Sequence, residues 1–197
     1  MESNRLEAFS DGVFAIIITI MVLELKVPHG SDWTVLRPLL PVFLSYVLSF
    51  IYLGIYWNNH HHLLKACLRV NGGILWANLH LLFWLSLFPF VTAWIGESRF
   101  TSSALALYGT VMLLAAIAYY ILQSVIIAAE GGCDSKLAEA IGKDWKGKLS
   151  PALYAVAIIA SFFQPWVACG IYVLVALMWL IPDQRIARVV AEMTPSR

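Results

Sequence analysis

The sequence predicts an all-α membrane protein with six transmembrane helices in one domain spanning residues 1–197. Three observations predict it. Hydrophobic residues make up 60% of the chain against 13% charged, with a mean hydropathy of +0.77, which is too apolar for a water-soluble globular domain. The apolar residues fall in runs of membrane length, since a hydrocarbon core about 30 Å thick needs about 20 helical residues. Lysine and arginine are distributed unequally between the two sides that those runs define. A net charge of +1 implies no nucleic-acid partner. Cys67, Cys133 and Cys169 are odd in number and lack CxxC spacing, so packing roles are expected for them, with no disulfide framework, metal or cofactor.

Charged and Gly/Pro-rich interruptions divide the chain into spans 8–26, 38–62, 73–95, 101–129, 149–163 and 165–182. The first holds Asp11 and has no small-residue cleavage site after it, so it reads as a retained helix and not a signal peptide. The second follows the Arg37-to-Pro41 interruption and runs into His60-His61-His62; the third follows Gly72-Gly73; the fourth is a long uncharged run. The fifth is short, and Gln164-Pro165 between it and the sixth is compatible with two crossings, a kink or a re-entrant hairpin. Six crossings leave Arg5, Lys65, Arg69, Lys136, Lys143, Lys146, Lys148, Arg185, Arg188 and Arg197 on one side and Lys26, Arg37 and Arg99 on the other. That asymmetry places both termini in the cytoplasm of a multi-pass cell-membrane protein. Trp33, Trp57, Trp76, Trp94, Trp145 and Trp166 lie near span ends, where amphipathic indoles belong. The mixed-charge loop 130–149 has the pattern of a short surface helix around Leu137, Ala138, Ala140 and Ile141.

The first span is the unusual one, because a charged group at a helix centre costs roughly 2.5 to 3.5 kcal/mol on insertion scales. At about 100° per residue, Phe9, Gly12, Ile20, Leu23 and Val27 all fall within about 40° of Ile16, while Asp11 points about 140° away. If this stripe faces lipid, Asp11 faces the bundle, the ordinary arrangement for an intramembrane acid. If copies of the helix gather about an axis, Ile16, Ile20 and Leu23 form stacked apolar constrictions of the kind that gate by dewetting. Thr19 would border that axis, its hydroxyl free to bond the Ala15 carbonyl or to offer an oxygen to a cation. Glu24 would sit at the outer mouth, where a carboxylate raises local cation concentration, or is simply a solvated carboxylate at the helix end. Spacing leaves both arrangements open.

Arg5-x-x-x-Phe9-Ser10-Asp11, with Ile16 five residues after the aspartate and Thr19 three further on, resembles the signature of the transmembrane-protein-175 potassium channel family. Tyr56-Trp57-Asn58-Asn59-His60-His61 resembles the family's Trp-x-x-His-His segment. Leu75-Trp76-Ala77-Asn78-Leu79 through Leu87-Phe88-Pro89-Phe90 resembles its third helix. The resemblance covers about the first half of the chain and implies a potassium-preferring channel, assembled as a homotetramer with the first helix lining a central pore. It implies a gate at Ile16, further narrowing at Ile20 and Leu23, and potassium preference tied to Thr19. Ala15 stands where eukaryotic relatives can have serine, so one polar ring is missing and a weak preference over sodium is expected. No TVGYG-like loop offers a carbonyl-lined filter. Arg5, Phe9, Ser10 and Asp11 are expected to form a polar packing network with Trp76, Asn78, His60, His61 and His80, fixing the rotation of the first helix.

Two other classes compete. Adjacent helical residues diverge by about 100°, so His60, His61 and His62 cannot converge on one metal ion. Histidine titrates near pH 6.5 when unperturbed, so the run could make the end of the second helix pH-responsive. An intramembrane enzyme would have to use Asp11, His60, His61 and His80, yet no nucleophile stands at a recognisable spacing. A secondary transporter would be expected to carry broken helices and an internal repeat, and the sequence predicts neither. The expected partners are potassium and other monovalent cations, the bilayer and further copies of the chain.

Overall fold

The computed structural model of the chain describes residues 3–29, 32–67, 69–132, 138, 142 and 145–180. It is all-helical. Helix α1 covers Ser3–Leu23; a 3-10 segment, Trp33–Leu39, leads into α2, Leu40–Lys65; α3 is Gly72–Ser86 and α4 Phe88–Glu97. Helix α5 is Ser102–Ala129, α6 Trp145–Phe163 and α7 Pro165–Leu180. Four rods are long and apolar enough to cross a membrane: Ser3–Leu23, Trp33–Lys65, Gly72–Glu97 and Ser102–Ala129; Pro165–Leu180 is apolar but shorter.

Helix α1 begins five residues earlier than the apolar run implies, because Arg5 and Glu7 extend it past the segment that hydropathy detects. Pro38 and Pro41 lack the N–H groups that an α-helix entry would use, and the chain approaches α2 through the 3-10 turn. Asn71 caps α3, its Oδ1 accepting from Ile74 N at 3.0 Å. The predicted third span is broken at Leu87, which corrects the expectation of unbroken helices, since Pro89 cannot donate to the preceding turn. Arg99 and Phe100, both left-handed (φ 54° and 63°), reverse the chain into α5, with Phe100 set against Trp166 at 5.9 Å. At Gln164 the chain folds back into an antiparallel α6–α7 hairpin, whose far ends are tied by Trp179 Nε1 donating to Ser150 Oγ at 2.8 Å. This excludes a simple kink. The surface helix expected around 137–141 and the last two residues of the sixth predicted span lie outside the described residues, apart from a 2.9 Å bond from Gly142 N to Ala138 O.

Lipid is as apolar as leucine, so packing and hydrogen bonds hold the bundle together more than hydrophobic burial does. Helix α5 is its centre, packed on α3, α4, α6 and α7 through small buried residues including Ala104, Gly109, Ala115 and Ala118. Buried hydroxyls tie the rods together. Thr92 donates to Ser49 Oγ (2.7 Å), Ser49 pairs with the Tyr108 hydroxyl (3.2 Å), Tyr52 donates to Tyr172 O (2.5 Å) and Tyr172 to Leu105 O (3.0 Å). Cys67, in the loop after α2, is buried, and that burial pushes its thiol up from the usual range, as suits a packing residue. Helix α1 lies at the edge of the bundle, against α2, α3 and α4. That position leaves one of its faces uncovered.

Candidate functional site: the first helix and its polar seam

Helix α1 has three faces. Leu6, Ser10, Phe14, Ile17 and Met21, spaced by three and four, are buried against its neighbours. Phe9 (53% exposed), Gly12, Ile16 (59%), Thr19, Ile20 (43%) and Leu23 (77%) lie on the uncovered side, and Val27, expected to continue this stripe, falls beyond the end of the helix. Ala15 is exposed beside them. Between the two faces runs an edge carrying both carboxylates, Glu7 and Asp11, one helical turn apart.

The buried face carries a directed hydrogen-bond chain. Ser10 Oγ donates to Leu6 O at 2.8 Å, and Asn78 Nδ2 donates to Ser10 Oγ at 3.0 Å. Asn78 Oδ1 pairs with His60 Nε2 at 2.7 Å. With its nitrogen turned to Ser10, the Asn78 amide presents only an acceptor to His60, so the proton sits on Nε2 and Nδ1 is the bare ring nitrogen. That Nδ1 is buried with no hydrogen-bond partner among the described residues, while Phe14 lies against the ring at 5.6 Å. Ser10, His60 and Asn78 are all fully buried, which makes this link between α1, α2 and α3 costly to break.

The carboxylate edge meets α2 through residues also one turn apart. Trp57 Nε1 donates to Asp11 Oδ1 at 2.9 Å, and His61 Nδ1 lies 2.7 Å from Glu7 Oε1. The Trp57 and His61 rings stack on each other at 5.8 Å. Asp11, the acid inside the predicted span, thus has a named partner, as its desolvation requires, and Glu7 one turn before it is paired as well. Trp57 and Glu7 are the two members of this seam that the sequence reading left out. The i, i+4 repeats Glu7–Asp11 and Trp57–His61 are the signal that would have paired them.

Other expected members stand apart in the protomer. Trp76 is 75% exposed, and His80 accepts from Trp84 Nε1 at 3.0 Å on its own helix, so neither joins the seam. Arg5 is exposed. Asp11, His60 and His61 engage three different partners and do not converge as an acid/base constellation. Thr19 Oγ1 donates to Ile16 O at 2.9 Å and not to Ala15 O, and the residue is exposed on the uncovered side. At the far end Glu24 is exposed, near a Lys26–Glu97 ion pair of 3.1 Å.

The family described as Endosomal/lysosomal potassium channel TMEM175 matches residues 5–89, the stretch holding all of this seam. A potassium channel of Chryseobacterium sp. is 60% identical over 192 residues, covering 98% of this chain and 100% of its own. A potassium channel of Chamaesiphon minutus is 33% identical over 193 residues, 91% of this chain and 94% of its own. The crystal structure of a lysosomal potassium-selective channel TMEM175 homolog from Chamaesiphon minutus superposes with a TM-score of 0.76 at 29% identity, covering 92% of this chain and 97% of that one.

Proposed function

Because this chain belongs to the TMEM175 family, we propose that it is a potassium-preferring cation channel of the cell membrane, built from four copies whose α1 helices surround a central pore. The observation that carries the reading is the division of α1 into a polar edge with its partners inside the protomer and an apolar face left uncovered among the described residues. A face so arranged meets either lipid or other copies of itself. The channel names of the relatives, which match the chain nearly end to end, favour the second.

Around an axis, Ile16, Ile20 and Leu23 would form successive aliphatic collars, with Ile16 the gate. A constriction lined only by hydrocarbon empties of water when narrow, and an ion cannot cross it without its hydration. Thr19 lies between the collars with its oxygen available, the one side chain there able to replace a hydration oxygen. Selection therefore rests on side chains and not on backbone carbonyls, and the preference for potassium over sodium is weak. Glu24 concentrates cations at the outer mouth. Both termini are cytoplasmic, and the protein conducts without catalysing a reaction.

Potassium flux into proteoliposomes tests this. Passive conduction requires current driven by voltage alone, with no counter-ion gradient, and Ile16→Asn should raise it several-fold by wetting the collar. Unchanged flux in Ile16→Asn, together with loss of flux in His61→Ala, would remove the pore from α1.

A further inference from the structure

Helices α6 and α7 pack on each other and on α5, and α7 also meets α2, whereas α1 packs on α2, α3 and α4. The hairpin therefore stands across the bundle from the open face of α1, and lipid is what its outward side meets. Val156, Ile159 and Phe162 of α6 and Val173, Leu174 and Leu177 of α7 are exposed there. No charged residue falls between Lys148 and Asp183 in the sequence.

The length of this outward side is fixed at both ends. At one end Lys146 and Lys148 bring charge onto the first turn of α6, beside Trp179 of α7, whose Nε1 bonds Ser150 Oγ. At the other end Gln164 turns the chain between Phe163 and Trp166, level with Phe100, which lies 5.9 Å from the Trp166 ring and follows exposed Arg99 in the turn before α5. Between these ends the apolar part of α6, from Leu149 to Phe163, rises about 22 Å, and the 16 residues of α7 rise about 24 Å. Helix α1 gives a similar measure independently: half-buried Asp11, bonded to Trp57, and exposed Glu24 stand about 20 Å apart along its axis. The hydrocarbon core of an ordinary bilayer is about 30 Å thick. A helix that is too long can tilt to fit, but tilting a short one lowers its reach further, so the bilayer has to thin around it. The stems of Lys146 and Lys148 can carry their ammonium groups outward at one end, whereas Gln164 and Pro165 have no comparable reach at the other.

We propose that the α6–α7 side is a short hydrophobic belt whose partner is a bilayer thinner than average, so that phospholipids with short acyl chains are preferred next to the protein and longer ones are compressed there. The belt runs from the Lys146–Lys148 turn to the Gln164 turn, and the aromatic side chains of Trp145 and Trp166, both exposed, mark its two edges. Such a preference belongs to the protein's residence in a bilayer and is present whether or not the pore conducts.

The full-length protein is reconstituted into monounsaturated phosphatidylcholines of one chain length at a time, from about 14 to about 22 carbons, each mixed with a dibrominated phosphatidylcholine of intermediate length. Quenching of the 8 tryptophans by the brominated lipid reads the relative affinity of each chain length. Affinity should be greatest at about 14 to 16 carbons and at least twofold lower at about 22. An affinity independent of chain length, or one greatest at about 18 carbons or more, overturns the short belt. Lys146→Leu combined with Lys148→Leu lengthens the apolar run of α6 and should move the optimum to longer chains; an optimum that stays in place overturns the boundary at the two lysines. The series on the unaltered protein decides the belt even where the double variant does not fold.

Discussion

Ser10 and Asp11 are neighbours in sequence, and the helix turns them about 100° apart, so one reaches α3 and the other α2. Two adjacent residues thus fix the roll of α1 from two directions. Asn78 is the joint in one of those directions, since its amide both donates to Ser10 and accepts from His60. Interhelical hydrogen bonds in membranes average only about 0.6 kcal/mol, but losing this amide strands a buried N–H and a hydroxyl oxygen together. Asn78→Leu should therefore lower stability by roughly 1 to 2 kcal/mol, seen as a reduced melting temperature in detergent. A wild-type melting curve would show that the chain of bonds carries little. The role proposed for Thr19 is different: its proton is held by Ile16 O, and the residue is exposed on the open side of α1. Thr19→Ala should keep the current and reduce the potassium-to-sodium permeability ratio, read as a shifted reversal potential under bi-ionic conditions. An unmoved reversal potential would take Thr19 out of the selection step.

Among the helices, close approach is decided by glycine at two crossings. A Cβ on Gly109 of α5 would strike the Tyr172 hydroxyl and lie 2.8 Å from Ile158 Cγ1, and one on Gly96 of α4 would lie 2.6 Å from the α2 backbone at Val42 Cα. Gly12, on the open face of α1, has nothing within 4 Å. Gly109→Ala should lower stability by about 1 to 3 kcal/mol, as overpacking does. Gly12→Ala should leave protomer stability within about 0.5 kcal/mol, and thermal denaturation of the two variants side by side checks both. Equal melting would mean that α5 and α7 pack more loosely than Tyr172 requires. The same crossings explain what could be read from the sequence and what could not. Apolar runs and their interruptions locate every rod to within about five residues, because hydropathy tracks the bilayer. They miss where a helix continues into water, as at Ser3–Glu7, and where a proline breaks it inside an apolar run, as before Pro89. The seam is half legible for a similar reason: periodicity separates Ile16 from Asp11 on one helix, but only tertiary structure shows that Trp57 and Glu7 face each other's helices and that Trp76 does not join them.

At the scale of the whole molecule, rotation of α1 and assembly are one problem. The protomer buries a face built on Leu6, Ser10, Phe14, Ile17 and Met21 and leaves out one built on Ile16, Ile20 and Leu23, so the roll of the helix sets what a neighbouring copy would touch. Among the described residues Asp11 is hydrogen-bonded to Trp57 on α2, whereas the Ile16 side chain lies on the open face. The two positions should therefore separate when altered. Asp11→Ala removes the acceptor for Trp57 Nε1 and lets α1 turn, so the tetramer proposed above should give way to smaller species in light scattering after gel filtration, with flux lost alongside. Ile16→Asn leaves the seam untouched and should elute at the full assembled mass while conducting more. A single open state with Asp11→Ala at full mass would mean that the Ser10–Asn78–His60 chain alone fixes the roll, and the carboxylate edge would then be a consequence of assembly and not its cause.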